Sequence, residues 1–125
     1  MMKKEGNKTE SRLQQECYVW FWNYYCLPEH SPRGLILHVP NGTREGRKYF
    51  SSGLYPGAAD LLIVWKGMAY FIELKTETGR QTPAQKAFQA HAIGAGAFYA
   101  VVRSIEEFQA LVMDEITGMR PVADR

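Results

Sequence analysis

The sequence has little cysteine and no long apolar run. Only two of its 125 residues are Cys, too few for the disulfide frameworks of small secreted domains. Cys17 and Cys26 also fall on one predicted helix, where their spacing corresponds to about 13 Å, beyond the reach of a disulfide. No stretch approaches the ~20 apolar residues of a membrane span, and the polar N-terminus does not resemble a signal peptide. These absences favour a reduced, intracellular (cytoplasmic) protein with no membrane partner.

The sequence also lacks a strong excess of positive or negative charge, and it lacks the glycine motifs that bind nucleotide phosphates. The chain has 15 Lys and Arg against 13 Asp and Glu, a balance that neither requires nor excludes nucleic acid. No Gly-x-x-x-x-Gly-Lys-Ser/Thr or Gly-x-Gly-x-x-Gly follows a strand pattern, which argues against a nucleotide-binding protein. Hydrophobic residues make up 46% of the chain, and aromatic residues alone make up 13% of it. We expect one domain over residues 9–117, a polar arm at 1–8 and a tail at 118–125.

Hydrophobic patterning predicts the element order α-β-β-β-α-β-α, an α/β fold with a mixed sheet flanked by helices. A helix from Thr9 to Leu27 has an apolar stripe of Leu13, Cys17, Trp20, Phe21 and Tyr24. The other expected elements are strands at 35–39, 61–65, 68–75 and 97–102 and helices at 82–93 and 105–116. Strand 68–75 is apolar on both faces, so we expect it to be central.

Charged residues meet where the predicted hairpin of strands 61–65 and 68–75 opens. Asp60 precedes the first strand and Glu73 ends the second, so a turn at Lys66-Gly67 sets the two carboxylates opposite each other. Like charges at close range need a cation or a proton between them. Oxygen ligands of this kind suit Mg²⁺ or Mn²⁺, and Lys75, on the same strand face as Glu73, could stabilise charge on a phosphate.

Two further polar residues have both a catalytic and a structural interpretation. Glu10 lies on the same face of the first helix as the apolar stripe and points inward. It is either a third acidic ligand or a first-turn carboxylate favoured by the helix dipole. Gln85 is either a site residue or the capping-box partner of Thr82. The Glu73-Leu74-Lys75 tripeptide by itself is often a solvated strand end, and only the convergence of all these positions favours a site.

The ordered set of motifs resembles a known nuclease family. It comprises Glu10-Ser11-Arg12-Leu13-Gln14, Pro56-Gly57-Ala58-Ala59-Asp60, Phe71-Ile72-Glu73-Leu74-Lys75, Gly79-Arg80-Gln81-Thr82-Pro83-Ala84-Gln85 and the strand Gly96–Val102. In this order they resemble a VRR-NUC domain, a branch of the PD-(D/E)xK nuclease superfamily, over about residues 9–108. One departure is Ala59, where the family commonly has Pro.

The resemblance implies a restriction-endonuclease-like fold and metal-dependent phosphodiester hydrolysis with Mg²⁺ or Mn²⁺. Carried over by position, Asp60, Glu73, Glu10 and the Leu74 carbonyl would be metal ligands. Lys75 would be the catalytic lysine and Gln85 a supporting residue of the site.

The expected partner is branched or structured DNA, cut by a Holliday-junction-resolvase-like homodimer. A lone small domain is better suited to contacting phosphates than to reading bases, and the basic loop beginning at Arg33 supplies positive charge. The expected DNA contacts are Arg33, Asn41, Arg44, Arg47, Lys48 and Arg80. The first helix also has aromatic residues on faces other than its apolar stripe, namely Tyr18, Trp22 and Tyr25. We expect these residues to lie away from the core, and they suggest a dimer interface. The alternatives are a nuclease for flaps, nicks or ends with the same active site, and a DNA-binding module without catalysis.

Overall fold

In a computed structural model of the chain, residues 9–40 and 53–121 are described. They form the predicted order of elements, with the bounds shifted by one or a few residues. The helices are α1 (Glu10–Phe21), α2 (Pro83–Gly94) and α3 (Ile105–Leu111), and π-helical turns at Trp22–Cys26 and Val112–Ile116 extend the first and the last of them. The strands are β1 (Leu35–His38), β2 (Leu61–Trp65), β3 (Met68–Leu74) and β4 (Phe98–Val102).

The four strands form one mixed sheet in the order β1-β2-β3-β4. The pairs β1–β2 and β2–β3 are antiparallel, and β3–β4 is parallel because α2 connects them. The hairpin turns at Lys66 and Gly67, which both have positive φ. The mixed sheet and the central position of β3 are therefore confirmed.

The first helix departs from the prediction at its C-terminal end. The sequence predicts a continuous α-helix to Leu27 with Tyr24 on its buried stripe, but the chain changes to a π-helical turn at Trp22. The wider turn shifts the buried face by about one residue, so Tyr25 is 2% exposed whereas Tyr24 is 39% exposed. The expectation that Tyr25 lies away from the core is therefore wrong.

Two apolar clusters lie on opposite faces of the sheet. The larger joins α1 and α3 to the sheet through Phe21, Ile72 and Phe108, among others. The half-buried Tyr18, Trp20 and Trp22 pack against this cluster, so the chain's own core accounts for much of the aromatic content of the first helix. The smaller cluster, around Phe88 and Tyr99, joins α2 to the other face.

Across the described residues, no helix is long and apolar enough to cross a membrane. The predicted N-terminal arm lies outside the described ranges, as do most of the basic loop and the last four residues of the predicted tail.

Candidate active site

Asp60 lies at the open end of the β2–β3 hairpin, as the sequence predicts. Leu61 pairs with Ile72, so Asp60 stands opposite Glu73. The Leu74 backbone N–H donates a hydrogen bond of 2.7 Å to Asp60 Oδ2, and the Asp60 carbonyl accepts one of 2.9 Å from the Val39 N–H. The Leu74 N–H thus holds the carboxylate against the end of β3, while the Val39 N–H holds the backbone of Asp60.

Gly57 allows the segment that leads to Asp60 to pass close to α2. Its φ is +84°, and a Cβ at this position would lie 2.5 Å from backbone atoms of Ala84. A larger residue would therefore force α2 and this segment apart. The two alanines that follow, Ala58 and Ala59, are buried in the smaller cluster.

Glu73 is the most deeply buried charged residue in the described part of the chain, with no exposed surface. Its Oε2 accepts a hydrogen bond of 2.9 Å from Gln85 Nε2, and Lys75 Nζ lies 3.9 Å from the same oxygen. Its Oε1 is buried and has no hydrogen-bond partner among the described residues. A buried acceptor without a donor carries a free-energy cost, which makes it a ready ligand position.

Burial and neighbouring charge make ionisation of both carboxyl groups unfavourable. The pKa of Glu73 is raised to about 8, first by burial and then by the nearby Asp60, while Lys75 opposes the shift. The pKa of Asp60 is also raised by burial, against the hydrogen bond from the Leu74 N–H. Two carboxyl groups that resist ionisation are suited to receiving a cation.

Gln85 forms the predicted capping box with Thr82 and also contacts Glu73. Its side-chain Oε1 accepts from the Thr82 N–H at 2.9 Å, while Thr82 Oγ1 accepts from the Gln85 N–H at 3.1 Å, forming a capping box at the start of α2. Its Nε2 then donates to Glu73. Because the cap fixes the amide oxygen, the amide nitrogen is directed at the carboxylate.

Glu10, in the first turn of α1, lies close enough to raise the pKa values of both Asp60 and Glu73. Within residues 9–40 and 53–121, however, no three His, Cys, Asp or Glu side chains are grouped to hold a metal ion. Asp60 and Glu73 therefore stand as a pair. Their carboxylates and the unpartnered Glu73 Oε1 are the oxygen donors that a hard divalent cation prefers, so the pair fits such an ion.

Three residues near the pair were missed by the sequence reasoning. Tyr99 on β4 lies close enough to affect the pKa of Glu73, and its hydroxyl accepts a hydrogen bond of 3.1 Å from Gln81 Nε2. His38 Nδ1 lies 3.3 Å from the Asp60 carbonyl oxygen. Strand alternation could have found Tyr99, since its register partner Phe71 shares the face of Glu73. No local pattern indicates Gln81 or His38.

Of the predicted DNA contacts, the structure describes Arg33 and Arg80. Arg33 lies just before β1, near the hairpin end of the sheet, where its Nε donates to the Cys26 carbonyl at 2.8 Å; the structure does not bring it to the carboxylate pair. Arg80 is exposed on the loop between β3 and α2. The other expected contacts, Asn41, Arg44, Arg47 and Lys48, lie outside the described residues.

Comparisons with known proteins bear on the fold. No protein-family model matches the chain, and no curated protein matches it. One solved structure, described as "VRR_NUC domain protein", has a TM-score of 0.69 at 22% identity and covers 91% of this chain and 93% of its own. Another, described as "VRR_NUC domain", has a TM-score of 0.60 at 23% identity and covers 85% of this chain and 96% of its own. The chain therefore has the fold of VRR_NUC domains.

Proposed function

We propose that the chain is a member of the VRR-NUC family and a metal-dependent, structure-selective DNA endonuclease. In this proposal it resolves Holliday junctions as a homodimer, with the active site around Asp60, Glu73 and Lys75. The observation that carries it is the Glu73 carboxyl, which is fully buried beside Lys75 and has one oxygen without a hydrogen-bond partner among the described residues. A structural core gains nothing from such a group, whereas a phosphodiester hydrolase uses it.

The carboxylates of Asp60 and Glu73 would hold Mg²⁺ or Mn²⁺, with the Leu74 carbonyl and Glu10 as the further expected ligands. When bound, such an ion neutralises charge on the phosphate and lowers the pKa of a coordinated water.

The chain's own residues prepare this site. The Leu74 N–H holds Asp60, and Gln85 holds Glu73 through the capping box of α2. Lys75 has only 8% of its side chain exposed, and its Nζ lies 3.9 Å from Glu73 Oε2, beside the carboxylate pair. There it stabilises negative charge that develops on the phosphate, in surroundings that screen it weakly.

The test is cleavage of end-labelled DNA in the presence of Mg²⁺, Mn²⁺ or EDTA. The substrates are a four-way junction, a 5′ flap, a nicked duplex and a linear duplex. Lys75→Ala is compared with Lys66→Gln, which alters an exposed lysine in the turn at the opposite end of the hairpin. We expect paired symmetric cuts in the junction that require the metal and Lys75, and that persist in Lys66→Gln.

Other results select or remove the alternatives. Cuts confined to flaps, nicks or ends would retain the chemistry and change the substrate. Binding of branched DNA without any metal-dependent cleavage would favour a non-catalytic module and overturn the enzyme. The homodimer is tested separately by sedimentation of the free protein and of its junction complex, where a single copy in both would contradict it.

A further inference from the structure

A cleft of about 380 Å³ lies beside the end of β4, outside the carboxylate pair. Three of the side chains around it are cationic and one is acidic. Its lining residues are Arg80, Gln81, Lys86, Val101, Arg103 and Glu107. Since the whole chain carries almost balanced charge, this is a local concentration of positive charge.

The cations of the cleft are not neutralised by neighbouring carboxylates. Among the residues that the structure describes, neither Arg80 nor Lys86 takes part in an ion pair, and both are exposed. The one acidic residue, Glu107, uses its Oε1 to accept a hydrogen bond of 2.7 Å from the Arg103 backbone N–H. The cleft therefore presents unpaired positive charge to a ligand.

Arg103 holds one wall of the cleft against the loop that follows β3. Its Nη1 donates to the carbonyls of Thr76 and Gly79 at 2.8 Å and 2.7 Å, which holds the loop that follows Lys75. The hydrogen bonds of this guanidinium to the described residues all come from Nη1, whereas a guanidinium has five N–H donors. Arg103 can thus brace the loop and still direct donors elsewhere.

The cleft is connected to the carboxylate pair by two short paths. Gln81 in its wall donates to the Tyr99 hydroxyl, which lies near Glu73. Lys86 directly follows Gln85, which holds Glu73. Successive phosphates on one strand of DNA are only about 3.4 Å apart along the helix axis. A strand with one phosphate at the pair therefore brings neighbouring phosphates towards the cleft.

We propose that Arg80, Lys86 and Arg103 form a phosphate-binding subsite that holds a substrate phosphate adjacent to the one being cleaved. The inference rests on the proposed function, because it takes the ligand to be a nucleic-acid strand that crosses the carboxylate pair. Arginine supplies paired donors to phosphate oxygens, and lysine supplies a compact charge.

The test measures how binding depends on salt, which reports phosphate contacts without requiring cleavage. Wild type and the double variant Arg80→Gln/Lys86→Gln are titrated against fluorescent four-way junction and duplex DNA in EDTA, over a range of KCl concentrations. Arg103 is left intact because it braces the loop. The slope of log affinity against log salt should become shallower by about one for each lost phosphate contact, for a total of about one to two.

Two further variants control this experiment. Lys66→Gln/Arg120→Gln removes the same charge at the hairpin end of the sheet, since Arg120 lies near Tyr25 and Tyr25 contacts Trp65. Its slope should equal that of wild type. The charge-conserving variant Arg80→Lys/Lys86→Arg should restore most of the slope, and thermal melting should be the same for all the variants because the altered side chains are exposed.

The outcomes separate the inference from the function on which it rests. An unchanged slope in Arg80→Gln/Lys86→Gln, with wild type binding normally, overturns the subsite even if wild type cleaves DNA. A shallower slope in a protein that never cleaves supports phosphate binding at the cleft and contradicts the nuclease. A wild type that binds no DNA overturns both. The titration is repeated with DNA that ends in either a 5′-phosphate or a 5′-hydroxyl. Equal slopes indicate that the cleft binds an internal phosphate, and unequal slopes indicate that it binds a terminal one.

Discussion

One face of the sheet packs against α1 and α3 through a large apolar cluster, whereas the other packs against α2 through a small one. The large cluster buries aromatic and branched side chains with almost no exposed surface. The small cluster is built mainly around Phe88, Tyr99 and alanines, and the three buried polar residues Glu73, Lys75 and Gln85 belong to this side. The stability that the first face provides offsets the cost of desolvating charge at the second, a division that is common where activity opposes stability.

The largest expected loss of stability is at the first face. Phe108→Ala removes a side chain with no exposed surface that packs edge-to-face on Trp20, and the free energy of unfolding should fall by about 3–5 kcal/mol. Phe88→Ala, at a position 8% exposed in the small cluster, should lose roughly 2–3 kcal/mol. Urea unfolding measures both, and equal losses would contradict the proposed division between the faces.

Glu73→Gln should change stability in the opposite direction. In EDTA the substitution removes a carboxyl group that burial and Asp60 make hard to ionise, so the free energy of unfolding should rise by about 1 kcal/mol. Cleavage should fall by about 100-fold or more because an electrostatic group of the site is lost. A variant that is both less stable and fully active would show that Glu73 is a structural residue.

Removing the N-cap side chains of two helices distinguishes an effect on stability from an effect on cleavage. Thr82→Ala and Ser104→Ala each remove a side chain that accepts an N–H in the first turn of a helix, and each should cost about 1 kcal/mol of unfolding free energy. Thr82→Ala alone should also slow cleavage, by about tenfold, because loss of the Thr82 hydroxyl as acceptor for the Gln85 backbone N–H loosens the first turn of α2, from which the Gln85 side chain donates to Glu73. Equal activity in the two variants would mean that the cap does not position Gln85.

The smallest effect at neutral pH concerns Cys26 in the large cluster. Burial raises the pKa of this thiol to about 11, so the folded protein retains the proton that the unfolded chain releases from about pH 9. The resulting stabilisation is complete below pH 9 and is lost as the pH rises towards 11. Unfolding of wild type and Cys26→Ala at several pH values measures the difference, and a difference that does not change from pH 8 to pH 11 would contradict it.

Cys26 can also be tested directly at pH 8. Because the thiol is buried and protonated, a thiol-specific reagent should label it in the unfolded chain and leave it unmodified in the native protein. Rapid native labelling would indicate that this end of α1 opens readily.

The sequence predicts the helices and strands and which of their faces are buried, because these features depend on local, periodic patterns. Alternation in β3 separates Ile72 from Glu73, and the Lys66-Gly67 turn sets the register that brings Asp60 opposite Glu73. The Thr82-Pro83 start of α2 follows from capping chemistry alone. The prediction is wrong at Tyr25, where a π-helical turn changes the number of residues per turn of the helix. No local sequence pattern indicates this change.

The sequence by itself determined the order of elements, the hairpin and the opposition of Asp60 and Glu73, because each depends on neighbours in the chain or on one short turn. Only the tertiary structure decided that Glu73 is fully buried, with one oxygen that no residue in the described part of the chain contacts through a hydrogen bond. It also decided that Gln85 both caps α2 and donates to Glu73. It also decided that Arg80, Lys86 and Arg103 share one cleft. These contacts join residues from different elements, and their geometry is set by how the helices pack on the sheet rather than by any local period.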